Sequence, residues 1–352
     1  MKKTATLLSA ILLLLGSLLL SGFLMGCGGG SEQQATSPVA GDLLDFELGW
    51  QKGDRFLQRI TMESETRSEG SRWPGAMNTS SSISQDTAIT ILEKRPDGGY
   101  TILMEFIDMK LDSRAGTNVI FFDTSSDEVN KPGTLSYEVA KILPEMKLEY
   151  QLDARGKMEA MEGFSSFEES LNSILKGKPP LFIGMIRGLL SREALRNWVL
   201  HFSLEAYPDR PVKIGESWPY RNEVSIQGMN KIVSEIEHTF TGWETRGNRR
   251  CALLKIDGTA EMETDPDREG KKIAFGPEDI TIRGDTFYEP GLGLNLESSL
   301  IQNMKMKLNM FGNANREVTT SIENRINMHL VEMERGGKKE TFPVIPDQKN
   351  SN

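Results

Sequence analysis

The chain has 352 residues, with 41 Lys and Arg against 50 Asp and Glu, and a formal net charge of −9. Hydrophobic residues make up 38% and charged residues 26%, which is typical of a globular protein and excludes a disordered or multi-spanning one. The negative charge argues against nucleic acid or an anionic membrane surface as partner.

The first 26 residues have the three-part pattern of an export signal. Lys2 and Lys3 are positive, Leu7 to Leu20 is almost uninterrupted apolar sequence, and Ser21-Gly22 begins a small, polar end. The pattern predicts a signal peptide over residues 1–26 and a body outside the cytoplasm.

Leu24-Met25-Gly26-Cys27 resembles the lipobox of bacterial lipoproteins, although Met25 is larger than the usual occupant. The resemblance implies cleavage between Gly26 and Cys27 and a diacylglyceryl group, with palmitate-type acyl chains, on the Cys27 thiol. It also implies a lipoprotein anchored on the extracytoplasmic side of the cell envelope, periplasmic or outer-membrane in a two-membraned cell. Plain secretion is one alternative. An uncleaved membrane helix is the other, because residues 5–25 are just long enough to span a bilayer.

Residues 27–42 are small and polar, which predicts a flexible tether between membrane and body. If Cys27 carries lipid, Cys251 is the sole remaining thiol and no intrachain disulfide forms. The run from Cys251 to Ile256 predicts that this thiol is a small buried residue of a strand.

Period-2 alternation predicts strands in a first β-rich half, residues 43–163. Phe56, Gln58, Ile60 and Met62 share one parity, and Leu103, Ile107, Met109 and Leu111 share another. Asp97-Gly98-Gly99 predicts a hairpin turn between two such strands.

Residues 164–206 are predicted to form a helical connection. Ser165 and Glu168 suggest a capping box, and Gly177 with Pro179 would end that helix. Ser191 is predicted to cap a second helix whose apolar stripe is formed by Leu195, Trp198, Val199 and Phe202. A third, shorter helix is expected to end at Pro144.

Strands return in a second β-rich half, residues 207–335. Alternation runs through residues 232–240, Gly247-Asn248 predicts a turn, and residues 318–330 hold one parity over about 40 Å. Gly53-Asp54 and Gly215-Glu216 open the two halves, which predicts a diverged repeat. The fold class expected is α+β: two antiparallel β-rich halves joined by a helical segment, with a disordered tail at 336–352.

Catalytic chemistry is hard to find. The three histidines are not at metal-ligand spacing, Ser173-Ile174-Leu175-Lys176 lacks the third motif of penicillin-recognising enzymes, and the acidic run from Glu261 to Glu269 fails as a calcium loop. His238 is predicted to be a core histidine. We therefore expect no metal, no cofactor and no catalytic residue, and an enzyme is unsupported.

Four segments give the body a loose resemblance to an uncharacterised group of exported bacterial domains. They are Gly53-Asp54-Arg55-Phe56, residues 152–157, residues 207–218 and Thr241-Gly242-Trp243-Glu244. No activity comes with that resemblance. The long sheet pattern is also similar, by architecture alone, to the carriers and receptors of bacterial lipoprotein sorting, which hold acyl chains between a sheet and helices.

Three functions are consistent with the sequence. The first is an apolar ligand held between sheet and helices, with the lining Trp198, Phe202, Met304, Met306 and Met310. The second is an envelope scaffold that docks another protein and has no ligand cavity. The third is a hydrolase with an unrecognised site.

Overall fold

The computed structural model describes residues 43–70, 77–116, 118–126, 135–143, 146–177, 202–225, 231–263, 275–309 and 317–343, with isolated positions between 183 and 196. The predicted signal peptide, Cys27 and the tether lie outside the described residues.

Of the residues that the structure describes, 66% are in strands and 10% are helical. Its strands are β1 Leu43–Leu44, β2 Arg55–Gly70, β3 Met77–Lys94, β4 Tyr100–Ala115, β5 Asn118–Asp123, β6 Lys147–Leu152, β7 Met158–Glu162, β8 Val212–Lys213, β9 Ser217–Ser225, β10 Lys231–Arg246, β11 Arg249–Glu263, β12 Phe275–Glu289, β13 Leu294–Asn309, β14 Glu317–Arg335 and β15 Lys338–Thr341. The predicted α+β class is therefore wrong, because helices are a minor part of a mainly β protein.

One antiparallel sheet contains all the long strands, in the order β7-β6-β4-β3-β2-β14-β13-β12-β11-β10-β9. β5 extends the sheet beside β4, β15 pairs with β14, and β1 pairs with β8 in a separate two-stranded sheet. The two expected halves are not separate layers. The last long strand, β14, pairs with the first, β2, from Val318↔Gly70 to Glu334↔Arg55, and so joins them edge to edge.

In the part of the chain that the structure describes, two helices lie beside the sheet, α1 Leu135–Ile142 and α2 Phe164–Leu175. The expected capping box is wrong, since α2 begins one residue before Ser165, with Gly163 as N-cap and no side-chain cap. Leu195 is buried at a helical position within the predicted second helix, much of which lies outside the described residues. No helix in the described ranges is long and apolar enough to cross a membrane.

The sheet has one buried face, which we call the inner face. β14 shows it most clearly, because every second residue from Val318 to Leu330 is buried, as the alternation predicts. One hydrophobic cluster takes in residues from nearly all the long strands, both helices and the chain before β2. The sheet therefore surrounds a single core.

A bulge in β4 overturns one parity prediction. Phe106 pairs with Thr87 and Asp108 with Asp86, so Ile107 is an extra residue on its strand. Before the bulge Leu103 faces away from the core, and after it Met109 faces the core. An inserted residue moves every later side chain of the strand to the opposite face of the sheet, and a simple alternation pattern in the sequence cannot detect the insertion.

Tight turns gather at one end of the sheet, which we call the base. Residues 43–50, the strap, cross this end, and the strap carbonyls of Leu48 and Glu47 accept hydrogen bonds from Tyr100 and Tyr288. A Cβ on Gly49 would lie 2.4 Å from the Gly291 carbonyl oxygen, so the strap touches the β12–β13 turn. The strap thus closes the core at the base.

The two turns that open the halves have the same local structure. Gly53 and Gly215 have φ of 87° and 85°, which favours glycine. The following carboxylates, Asp54 and Glu216, each accept a backbone N–H from three residues earlier, at 2.8 Å and 3.1 Å. The geometry that the two turns share accounts for the matching residue types at these two positions in the sequence.

The C-terminal boundary also differs from expectation. Residues 338–341, predicted as disordered tail, form β15, and Glu340 accepts two hydrogen bonds from Arg249. Regular structure therefore extends beyond residue 335, through β15.

Candidate functional site

The structure separates two of the residues predicted to line a ligand space. Phe202 is buried at the base, with its ring 6.5 Å from that of Trp50 in the strap. Met304 is buried on the inner face, ten residues along β13 from Leu294 at the base, which is roughly 33 Å of extended chain. These two side chains do not face one space.

The other three predicted lining residues are not tested. Trp198 and Met310 lie outside the described residues, and Met306 is described by its backbone alone, opposite Thr320 of β14. A shared lining of these three stays a prediction.

Helix α2 buries its apolar side in the same core cluster as the sheet. Its buried residues are Phe164, Phe167, Leu171 and Leu175. β6 lies against the helical segment, because the Tyr150 hydroxyl donates to the Leu195 carbonyl at 3.2 Å. All these apolar side chains are at most 6% exposed, so in the described part no open apolar space separates the helix from the sheet.

The inner face is less completely covered at its centre. Ile60 and Met62 of β2 are only partly buried and pack against the core cluster. The paired neighbours of Met62, which are Ile83 of β3 and Ile326 of β14, are 8% and 6% exposed. We call the surface of Ile60 and Met62 the central gap.

A line of polar residues borders the central gap, and we call it the polar row. Paired positions on five adjacent strands form it, in the order Ser113, Ser81, Ser64, Asn324 and Gln302. Ser64 follows Met62 by two residues on the same face of β2, a separation of about 7 Å. Apolar and hydrogen-bonding surfaces therefore meet at the centre of the sheet.

The polar row contains hydrogen-bonding groups that nothing described satisfies. Asn324 Nδ2 donates to Gln302 Oε1 at 2.8 Å. Asn324 Oδ1, Gln302 Nε2 and Ser113 Oγ are buried and have no partner among the described residues. Their three residues are 0%, 1% and 2% exposed. Such orphans are uncommon in folded proteins and call for a specific reason.

The central part of the inner face carries no acidic or basic side chain. Inner positions run over residues 56–68, 79–91, 102–113, 294–304 and 318–333 of the five strands that hold the row, and none is Asp, Glu, Lys or Arg. The residue types can be read from the sequence, but only the strand register and the β4 bulge reveal which positions belong to the inner face.

His238 is a titratable group of the inner face, farther along the sheet. Its ring stacks on Trp218 at 5.8 Å and meets Tyr207 and Tyr220 edge-on, as predicted for a core histidine. Burial lowers its pKa to about 4, so it is neutral at physiological pH. Nδ1 has no partner in the described part of the chain.

The outer face carries two charged depressions of about 340 and 430 Å³. Their lining includes Glu63, Glu65, Glu323 and Arg325, and Arg325 pairs with Glu323 at 2.8 Å with both side chains about half exposed. Exposed charges that satisfy one another are typical of a solvated face. These depressions do not have the apolar lining that a pocket for an apolar ligand requires.

The residues behind the sequence resemblance have structural partners at the base. Asp54 pairs with Arg335, and Arg155 donates to the carbonyls of Leu204 and Tyr207.

Burial raises the pKa of the Cys251 thiol to about 12, which makes it unreactive. The described residues contain no cluster of three metal-ligating side chains.

A comparison with protein families now gives the chain its place. The model of DUF6263, a family of unknown function, matches residues 97–324. The chain belongs to this family. The match runs from the β3–β4 turn to Asn324, so three members of the polar row lie inside it. No curated protein matches the chain.

Solved structures similar to the chain include lipovitellin, at 11% identity and a TM-score of 0.38, covering 84% of this chain and 26% of that one. The chain thus spans about a quarter of lipovitellin's length. A Bacteroides fragilis protein described as exported, with a YmcC-like fold, is 10% identical over 79% and 98% of the two chains, with a TM-score of 0.20. A DUF1329 protein from Desulfovibrio piger is 8% identical over 76% and 83%, with a TM-score of 0.13. Likenesses this low assign no function to the chain.

Proposed function

We propose that the chain is an exported envelope protein, anchored by lipid on Cys27, whose body binds an apolar ligand at the central gap. The N-terminal signal pattern and the lipobox-like Leu24-Met25-Gly26-Cys27 support the proposed export and lipid anchoring. The partial exposure of Ile60 and Met62 within a buried face supports the binding role.

The position of these two residues makes the exposure informative. β2 has β14 on one side and β3 on the other, so solvent cannot reach Ile60 or Met62 from a strand edge. Both side chains lie on the inner face, and we take the exposure to come from space above that face. Apolar surface left open inside an otherwise buried face favours binding of an apolar group, since covering it removes that surface from water.

The binding role can be tested with a variant in which a larger side chain fills the central gap. Met62→Trp adds bulk on the inner face, and Thr61→Trp adds the same bulk one residue earlier on the outer face. We expect the full chain, extracted from its membrane, to bind an apolar fluorescent probe with micromolar affinity, about −8 kcal/mol. Met62→Trp should weaken that binding at least tenfold, and Thr61→Trp should leave it unchanged.

Absence of probe binding by the unaltered chain would contradict this function. An envelope interaction module without a ligand cavity would then be the better account. Equal binding by both Trp variants would place the ligand elsewhere on the chain.

The anchor has its own test. Cys27→Ser removes the only group that can take lipid at this motif, so the processed, lipid-modified mass should disappear. An unchanged mass and membrane partition in this variant would favour an uncleaved helix.

A further inference from the structure

We infer that the ligand is an uncharged amphipathic lipid whose polar group binds the polar row while its apolar chain covers the central gap. The inference rests on the proposed function and names the chemical class of its ligand.

The orphaned groups of the polar row are the first support. The hydrogen bond from Asn324 to Gln302 uses one donor and one acceptor of the two amides, and leaves an acceptor, Asn324 Oδ1, and a donor, Gln302 Nε2. Both residues are almost wholly buried. A ligand group that offers one donor and one acceptor satisfies both, and leaving them unpaired is unfavourable.

The position of the row is the second support. Ser64 and Ser81 are paired neighbours and are partly exposed, like Met62 beside them. Both serines also line the outer-face depression of about 340 Å³, so their exposure is partly on that face, and it is their pairing in the row, two residues beyond Met62 and Ile83, that brings hydroxyl groups next to the apolar surface of the gap. A chain that lies on the gap would place its polar end within reach of the amides.

The absence of charge sets the kind of polar group. Inner positions around the row on β2, β3, β4, β13 and β14 carry hydroxyl and amide groups and no Asp, Glu, Lys or Arg. A carboxylate, phosphate or ammonium group would lose its hydration there and gain no opposite charge from these five strands, which is strongly unfavourable. Hydroxyl, ester and amide groups meet no such penalty.

Native mass spectrometry of the full chain can separate these cases. Three probes are compared at pH 8: 1-monooleoylglycerol, oleate with the same acyl chain, and an apolar hydrocarbon dye without a polar group. We expect the monoacylglycerol to bind at least tenfold more tightly than oleate.

Variants of the row should remove that preference. Asn324→Leu/Gln302→Leu replaces both amides by apolar groups of similar size, and should weaken monoacylglycerol binding about tenfold without weakening dye binding. Asn303→Leu, on the outer face of the same strand as Gln302, is the matched control and should change neither. Ser113→Ala removes a single orphaned hydroxyl and provides a milder variant if the double one does not fold.

Equal binding of monoacylglycerol and oleate, or an unchanged preference in the row variants, would overturn the inference and leave the proposed function standing. Failure of all three probes to bind the unaltered chain would overturn the proposed function and the inference with it.

Discussion

The contact between Asp54 and Arg335 joins residues that are 281 positions apart and should be a main support of the base. Arg335 Nη2 donates to Asp54 Oδ2 at 2.6 Å and to the Gly49 carbonyl at 3.0 Å. Asp54 is 1% exposed and also accepts the backbone N–H of Gln51. The end of β14 is thereby fixed to the strap and to the start of β2.

Replacing Arg335 by Ala should be strongly destabilising, because it leaves a buried carboxylate without its counter-charge. The cost expected for breaking such a pair is about 3–5 kcal/mol. The matched control is Arg325→Ala, whose pair with Glu323 is about half exposed and should be worth under about 1 kcal/mol. Both changes delete one arginine of the same strand.

Thermal and denaturant unfolding of the two variants would measure the difference. At roughly 2–4 °C per kcal/mol for a large domain, Arg335→Ala should lower Tm by about 6–20 °C and Arg325→Ala by a few degrees at most. If the two variants melt together, the Asp54–Arg335 contact does not stabilise the fold, and the Gly53-Asp54 motif needs another explanation.

Three further predictions concern buried groups. The pKa of His238 falls from 6.5 in the unfolded chain to about 4 in the folded one, so its contribution to stability is present above pH 6.5 and is lost as pH falls towards 4. Chemical denaturation at pH 7 and 4.5 should show a loss of unfolding free energy that is smaller in His238→Gln than in the unaltered chain. Equal losses in the two proteins would contradict the burial of His238. Ile326→Asp, on the inner face, should cost several kcal/mol, whereas Arg325→Asp, on the outer face, should cost under about 1, and equal melting temperatures would break the face assignment. Cys251, whose pKa is raised to about 12, should resist iodoacetamide at pH 8 until the chain is unfolded, and rapid labelling of the native chain would refute its burial.

The candidate site illustrates how far alternation alone can locate function. Asn324 falls on the same predicted face as Ile322 and Ile326, which marks it as a polar residue among core positions. Nothing in the sequence places it beside Ser64 of β2 or Gln302 of β13. Apolar character alone groups Met304 with Phe202 in the sequence, and the length of β13 keeps them apart.

The sequence by itself determined the export pattern at Lys2 to Cys27, the hairpin turns at Gly98 and Gly247, and the buried parity of β14. Each depends on residues close together in the chain, where side-chain period and turn chemistry act locally. Only the tertiary structure decided that β14 pairs with β2, that Ile107 is an inserted residue, and which side chains form the polar row. Alternation defines a face for each strand, but any neighbour with a matching face would satisfy it, so partner and register depend on contacts between distant segments.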